Sequence, residues 1–178
     1  MFLGFNLFYV AFPVHAATRL EWSVLDVGLY FAFISVLMAV VEGPVLGRLS
    51  RRLGDRPLVI AGSLILAGAF LFFLSARTLV LYGGTVLVAA GNGLMWPSLL
   101  ATLSKTVDRP TQGAVQGLAG SVNAVASILG LVLGGLIYGV VGTGVFVLSA
   151  AATGLVFLLA FGIPGPGADQ GGEGRSVA

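Results

Sequence analysis

The sequence predicts an all-α integral membrane fold of six transmembrane helices, and three observations carry that reading. Of 178 residues, 57% are hydrophobic and only 9% are charged, against roughly 25% charged in an ordinary soluble domain. So few charges cannot coat a water-soluble surface. Six apolar stretches, at 2–17, 24–46, 57–76, 79–104, 112–141 and 144–163, are separated by short polar breaks. All but the first reach the ~20 residues a helix needs to cross about 30 Å of hydrocarbon. The runs are too long for strands and lack the alternation of a membrane barrel. In lipid the backbone must bond to itself, so long apolar runs become helices. Residues 1–163 are therefore expected to form one six-helix bundle. Residues 164–178, PGPGADQGGEGRSVA, read as a disordered cytoplasmic tail.

The first stretch is short: at about 1.5 Å per residue its sixteen residues give roughly 24 Å. It is not expected to be a signal peptide, because it has no positive n-region and Asn6 and Pro13 interrupt it. Ser23 followed by Asp26 resembles a capping box opening the second helix. Pro57 suits the first turn of the third, where a missing N–H costs little. Arg77-Thr78 is expected as a tight turn with Thr78 as cap. Asp108 to Thr111 breaks the fourth helix from the fifth, and Gly142-Thr143-Gly144 turns the fifth into the sixth.

Composition excludes several classes of function. There is no cysteine, hence no disulfide framework or thiolate metal site, and the lone His15 makes no metal cluster. No metal or cofactor is expected. A net charge of +2 gives no basis for a nucleic-acid partner. No clustered acids or histidines converge on one site, and no nucleophile is paired with a base, so an enzyme is not expected. The expected partners are the lipid bilayer and a small molecule. Lys and Arg set the orientation. Arg48, Arg51, Arg52 and Arg56 lie in one loop, Lys105 and Arg109 in another and Arg175 in the tail, while the opposite side holds only Arg19 and Arg77. With six crossings, the Arg-rich side and both termini face the cytoplasm of a cell (inner or plasma) membrane.

The third and sixth stretches carry no charge and no amide, which suits an outer, lipid-facing place. The first, fourth and fifth carry Asn6, Asn92, Gln116 and Asn123, and amides in hydrocarbon face a bundle interior or a wet cavity. In the fifth, Gln112, Gln116, Asn123 and Ser127 share one stripe, and Gly113, Gly117, Gly120 and Ala124 form a small-residue stripe beside it. Two readings stand: interhelical contact, since small residues let backbones approach closely, or a polar wall along a substrate path. In the fourth, Asn92 and Trp96 share a face and Pro97 follows, so the pair either lines a cavity beside a bend or Trp96 belongs to an interface belt. Glu42 is the one carboxylate inside an apolar run. It is either an ion-pair partner of Arg48 near the helix end or a proton-coupling group. His15 is expected at the membrane interface.

The stretch GRLSRRLGDRP, 47–57, resembles the signature loop of the major facilitator superfamily, which runs roughly G-x-L-[AS]-D-R-x-G-R-[KR]-P. Gly47, Leu49, Ser50, Arg52, Gly54, Arg56 and Pro57 match it, whereas Arg51 stands where the motif has Asp and Asp55 where it has Arg. The acid and base are exchanged, so the charge network that the family builds there does not carry over as it stands. The loop reads either as an orientation mark or as a gate latch. FNLFYVAFPVHA, GNGLMWPSLLATLSK and the run from Gln112 to Gly139 are similar to the family's seventh, tenth and eleventh helices. The last includes a degenerate G-P-x-x-G-G, with Gly130, Gly134 and Gly135 present and Leu131 in place of Pro.

The resemblance implies one half of a two-bundle fold, the C-terminal six-helix half with its first helix truncated. It also implies a separate N-terminal six-helix half as partner, and the chain as a fragment or natural half. It places the first and fourth helices against a central cavity, with Asn6, Tyr9, Asn92, Trp96, Gln116 and Asn123 as candidate lining, and the second and fifth against the other half. It implies secondary active transport, in the style of the drug–proton antiporters: proton-coupled efflux of apolar or amphipathic compounds. The alternative is a six-helix scaffold or the partner subunit of a split transporter, with no transport of its own.

Overall fold

The computed structural model describes residues 2–162. The order of elements is α1 (Phe2–Arg19), α2 (Val24–Val40), a π-helical turn (Val41–Val45), α3 (Leu46–Leu53), α4 (Asp55–Leu71), a 3₁₀ turn (Phe72–Leu74), α5 (Thr78–Lys105), α6 (Arg109–Val141) and α7 (Gly144–Ala160). The tail assigned to 164–178 lies outside the described residues.

Local signals set most of the boundaries. Ser23 Oγ accepts from the Asp26 N–H at 3.2 Å, and Asp26 Oδ2 accepts from the Ser23 N–H at 2.9 Å, the reciprocal capping box that opens α2. Pro57 falls in the first turn of α4. Thr78 is the first helical residue of α5 rather than its cap; Arg77 takes the cap position, its N–H donating to Ser75 Oγ at 3.2 Å. The expected basic loop at 47–56 is helical instead. Leu46–Leu53 continues the α2 rod, and Gly54, at φ 76°, alone makes the turn into α4. That left-handed geometry favours glycine, which pays no Cβ penalty there. The π-helical turn has its cause at Pro44, whose ring removes an N–H from the ladder.

α4 packs between α5 and α7, α1 packs between α6 and α7, and α2 leans on α5. The tightest crossing is α4 on α5. A Cβ on Gly91 would stand 2.6 Å from the Leu66 amide nitrogen and 2.8 Å from the Gly62 carbonyl oxygen. A Cβ on Gly62 would meet the Gly91 carbonyl oxygen and the Met95 nitrogen, each at 2.8 Å. α1 meets α6 through Gly130 and Gly134, where added carbons would press on Asn6 and Val10. A cluster of fully buried aromatic rings fills one part of the core: Phe8 lies 5.4 Å from Phe70 and 4.7 Å from Phe73, and Phe12 stacks on Tyr30 at 4.2 Å.

Among the described residues, four helices are long and apolar enough to cross a membrane: Val24–Leu53, Asp55–Leu74, Thr78–Lys105 and Arg109–Val141. Gly144–Ala160 is a shorter apolar helix. α1 is not among the four, and it carries Asn6, Pro13, His15 and Arg19.

α4, which holds most of the charge-free third stretch, and α5 are the more deeply buried of the long helices, whereas the α2–α3 rod and α6 leave most of their surface uncovered. Freedom from charge suits contact with other helices as well as with lipid. The small residues of α6 divide into two groups. Nothing lies within 4 Å of a Cβ on Gly113, Gly117, Gly120 or Gly135, so these glycines make no close approach inside this chain, whereas Gly130 and Gly134 do.

Gly91→Ala should lower the stability of the detergent-solubilised chain by about 1–3 kcal/mol, because the new methyl meets backbone that cannot step aside. Gly117→Ala should be neutral or stabilising by up to about 1 kcal/mol, from helix propensity alone. Thermal unfolding followed by circular dichroism separates the two. Equal destabilisation would contradict the packing described.

Candidate functional site

The polar groups inside the apolar rods gather where α1, α5 and α6 meet. Asn6 Nδ2 donates to the Phe2 carbonyl at 2.8 Å and to Ser127 Oγ of α6 at 3.1 Å, and Ser127 Oγ donates to Asn123 Oδ1 at 3.4 Å. Gln112 and Gln116 reach α5: their Nε2 atoms donate to the Ser104 carbonyl and to Ser104 Oγ, each at 3.0 Å. The polar stripe of α6 is thus joined to α1 in its middle and to α5 at its start. Such bonds supply direction where hydrocarbon supplies none.

Phe2, Asn6 and Tyr9 follow one another at i, i+4 and i+7, one stripe of α1. Phe2 packs edge-on against Trp96 of α5 at 4.5 Å, and Tyr9 against Phe31 of α2 at 4.7 Å while remaining 46% exposed. Asn92, one turn before Trp96, is 7% exposed and makes no side-chain hydrogen bond with any described residue. α5 runs as one helix through Pro97.

Beside this stripe lies an apolar groove of about 390 Å³, lined by Leu3, Ser121, Val122, Val125, Ala126 and Leu129. That volume falls within the range of small-molecule sites. Sequence reasoning missed it. The signal was the i, i+1, i+4, i+5, i+8 spacing of the α6 residues, which sets them on one face next to the amides already singled out.

Glu42 lies exposed in the π-helical turn. The expected ion pair with Arg48 is absent among the described residues. Arg48 Nη1 folds back to donate to the Pro44 carbonyl at 2.9 Å. The turn presses on α5: a Cβ on Gly93 would meet Val41 Cγ1 at 2.8 Å and Glu42 Cγ at 3.4 Å. Glu42 is therefore held one residue away from Asn92 in sequence on the facing helix. π-helical turns concentrate at functional sites, and Gly43-Pro44 was the sequence signal for this one.

At the basic end, Gly47, Arg48, Arg51 and Arg52 lie on α3, while Asp55 and Arg56 open α4. Asp55 pairs with Lys105 at the last turn of α5. Arg56 Nη2 donates to the Phe161 carbonyl beyond α7 at 2.9 Å. Two neighbouring residues of the signature segment thereby tie together three helix ends. His15 is buried, 2% exposed, with Nδ1 3.1 Å from Tyr138 Oη of α6. Among the described residues no cluster of histidines and acids could hold a metal ion.

Asn6→Ala and Ser127→Ala should each cost about 0.6 kcal/mol, typical of an interhelical hydrogen bond in a membrane protein. The double variant should cost less than the sum of the two, since both remove one bond. A double-mutant cycle by thermal unfolding in detergent measures it, and strict additivity would show that the bond contributes nothing.

Comparison with known proteins agrees with this architecture. The chain matches the profile of the Major Facilitator Superfamily over residues 1–176. It is similar to the class C tetracycline resistance protein of Escherichia coli, at 32% identity over 121 residues, 67% of this chain and 30% of that protein. The class H tetracycline resistance protein of Pasteurella multocida is 30% identical over 121 residues, again 67% of this chain and 30% of the relative. Solute carrier family 22 member 18 of Rattus norvegicus is 27% identical over 137 residues, 75% of this chain and 32% of the relative. The matched stretch thus spans about a third of the length of these relatives.

Proposed function

The chain belongs to the Major Facilitator Superfamily, a family of multi-pass membrane transporters, and from that premise we propose that it contributes one six-helix bundle to a proton-coupled exporter of small apolar or amphipathic compounds. In this reading the rods formed by α1 to α7 are six crossings, with the α3 end on the cytoplasmic side of the cell membrane. The uncovered face of α1, α2 and α6 is set against a second six-helix bundle, and substrate binds between the two. Transport follows from rocking one bundle against the other around a midplane site.

The observation that carries the reading is the placement of polarity on the least covered helices. α6 keeps Gln116, the glycine stripe and a run of large apolar side chains exposed, and α2 leaves Leu25, Leu29 and Val36 at 60% exposure or more. A second bundle would cover such a surface with close helix contacts at Gly113, Gly117 and Gly120. Asn6, Tyr9, Asn92, Trp96, Gln116 and Asn123 would then border an apolar cavity holding a few amides, suited to a compound with little charge. The names of the relatives, which speak of tetracycline resistance, point to the same class of compound. Glu42, exposed and without an ionic partner among the described residues, is the candidate for proton exchange.

The scaffold reading shares the uncovered face, and transport assays discriminate it. Inverted membrane vesicles from cells expressing the complete transporter should accumulate tetracycline or a lipophilic dye when a proton gradient is imposed, and should release it on addition of a protonophore. Glu42→Gln should reduce the proton-driven component by tenfold or more while leaving binding intact. Unchanged proton dependence would make Glu42 a structural residue, and no gradient-driven flux of any candidate would remove the exporter reading.

A further inference from the structure

α3 is a short two-faced helix at the end of a membrane-spanning rod. Leu46, Leu49 and Leu53 take one side, and Arg48, Arg51 and Arg52 take the other at spacings of three and one, within about 100° of arc. All three arginines are exposed. Arg51 and Arg52 make no side-chain hydrogen bond or ion pair with any described residue, and Arg48 spends one nitrogen on the Pro44 carbonyl.

The nearby charges do not neutralise them. Asp55 is engaged by Lys105, and Arg56 is held by the Phe161 carbonyl. Glu42 lies six residues before Arg48 and has no ionic partner among the described residues. The exchange of acid and base in the signature segment has a direct consequence here. It puts a third cation on α3 where the family motif carries an acid, and moves the acid to a helix whose partner consumes it.

Three fork-shaped donors on one arc, at the depth where a spanning helix leaves hydrocarbon, match the oxygens of a phosphodiester. We propose that the arginine face of α3 is a binding site for the phosphate of an anionic glycerophospholipid in the adjoining leaflet. Leu46, Leu49 and Leu53 hold the helix at the boundary, and the guanidinium groups reach headgroup phosphates. The lipid is preferred over a soluble anion because the ligand arrives with an acyl chain that the apolar side of the same helix can meet. Each basic residue near a charged surface contributes to such attraction, and the contribution falls with ionic strength.

The test is native mass spectrometry of the purified full chain in detergent, titrated with phosphatidylglycerol or with phosphatidylcholine of the same acyl chains. The wild type should retain phosphatidylglycerol in preference, and Arg51→Gln and Arg52→Gln should each weaken that preference roughly fivefold at low salt. The R51K/R52K variant should keep most of it, and Arg77→Gln, at the opposite end of the rods, should leave it unchanged. Equal retention of the two lipids, or full retention by the R51Q/R52Q variant, would overturn the site. Displacement of the lipid by inorganic phosphate at matching concentration would reassign it to a free anion and overturn the lipid assignment.

Discussion

Helices in hydrocarbon gain nothing from hiding apolar surface from one another, because the lipid tails are as apolar as leucine; cohesion depends on how closely their backbones can approach. The crossing of α4 on α5 at Gly62 and Gly91 is where this chain meets that condition most fully. Two glycines face each other so tightly that a methyl on either would strike main-chain atoms. The consequences spread outward. α7 packs along α4, α1 settles against α7, and α6 follows α1. The aromatic rings of Phe8, Phe70, Phe73 and Phe146 join α1, α4, the 3₁₀ turn and α7. Aromatic pairs of this kind each add about 0.5–1.5 kcal/mol beyond area burial.

That crossing leaves the bundle lopsided. Its dense side is built from α4, α5 and α7, and its open side from α2 and α6, which bury little of themselves. The amides belong to the boundary between the two. Asn6 donates to Ser127, which donates to Asn123, and Gln112 and Gln116 donate to Ser104, so their direct bonds hold α6 to α1 and α5 rather than reaching outward. Asn92 differs, being buried without such a bond. The distribution of glycine, ring and amide thus gives the bundle one closely packed side and one side whose apolar residues remain exposed.

Much of this was legible in the sequence. Apolar length marked the rods, the Ser23 and Asp26 pair marked the start of α2, and the arginines marked one end. The amides of α1 and α6 were singled out as facing the bundle interior or a cavity, and Asn6 and Asn123 are joined through Ser127. Three things were not legible, for physical reasons. Small-residue spacing marks a helix that can be approached, but not whether the approaching helix lies in the same chain. The stripe at Gly113, Gly117 and Gly120 therefore stood out, while the single glycines at positions 62 and 91 did not. The π-helical turn at Val41–Val45 needed Pro44 to be weighed against a rod otherwise long enough to span. The basic segment read as a loop because its glycines and charges are loop-like, yet only Gly54 breaks the helix. Leu46, Leu49 and Leu53 keep helical spacing through it.

The exchange of acid and base in that segment follows from where the helices start and stop. Asp55 is the first residue of α4, and Lys105 is the last of α5. Arg51 and Arg52 lie in the last turn of α3. A helix start carries partial positive charge and a helix end partial negative charge, and a matching side chain gains about 0.3–1 kcal/mol in each case. Every one of these side chains sits at the terminus that favours it, and the Asp55–Lys105 pair also joins two termini of opposite sign. The family's order, with acid at position 51 and base at position 55, would set a carboxylate against the carbonyl end of α3 and a guanidinium against the N–H end of α4. It would also leave Lys105 facing a cation. With helix boundaries where this chain has them, the exchanged order is the electrostatically consistent one, so Arg51 and Asp55 are best understood as a coupled pair of changes rather than as two independent departures from the motif.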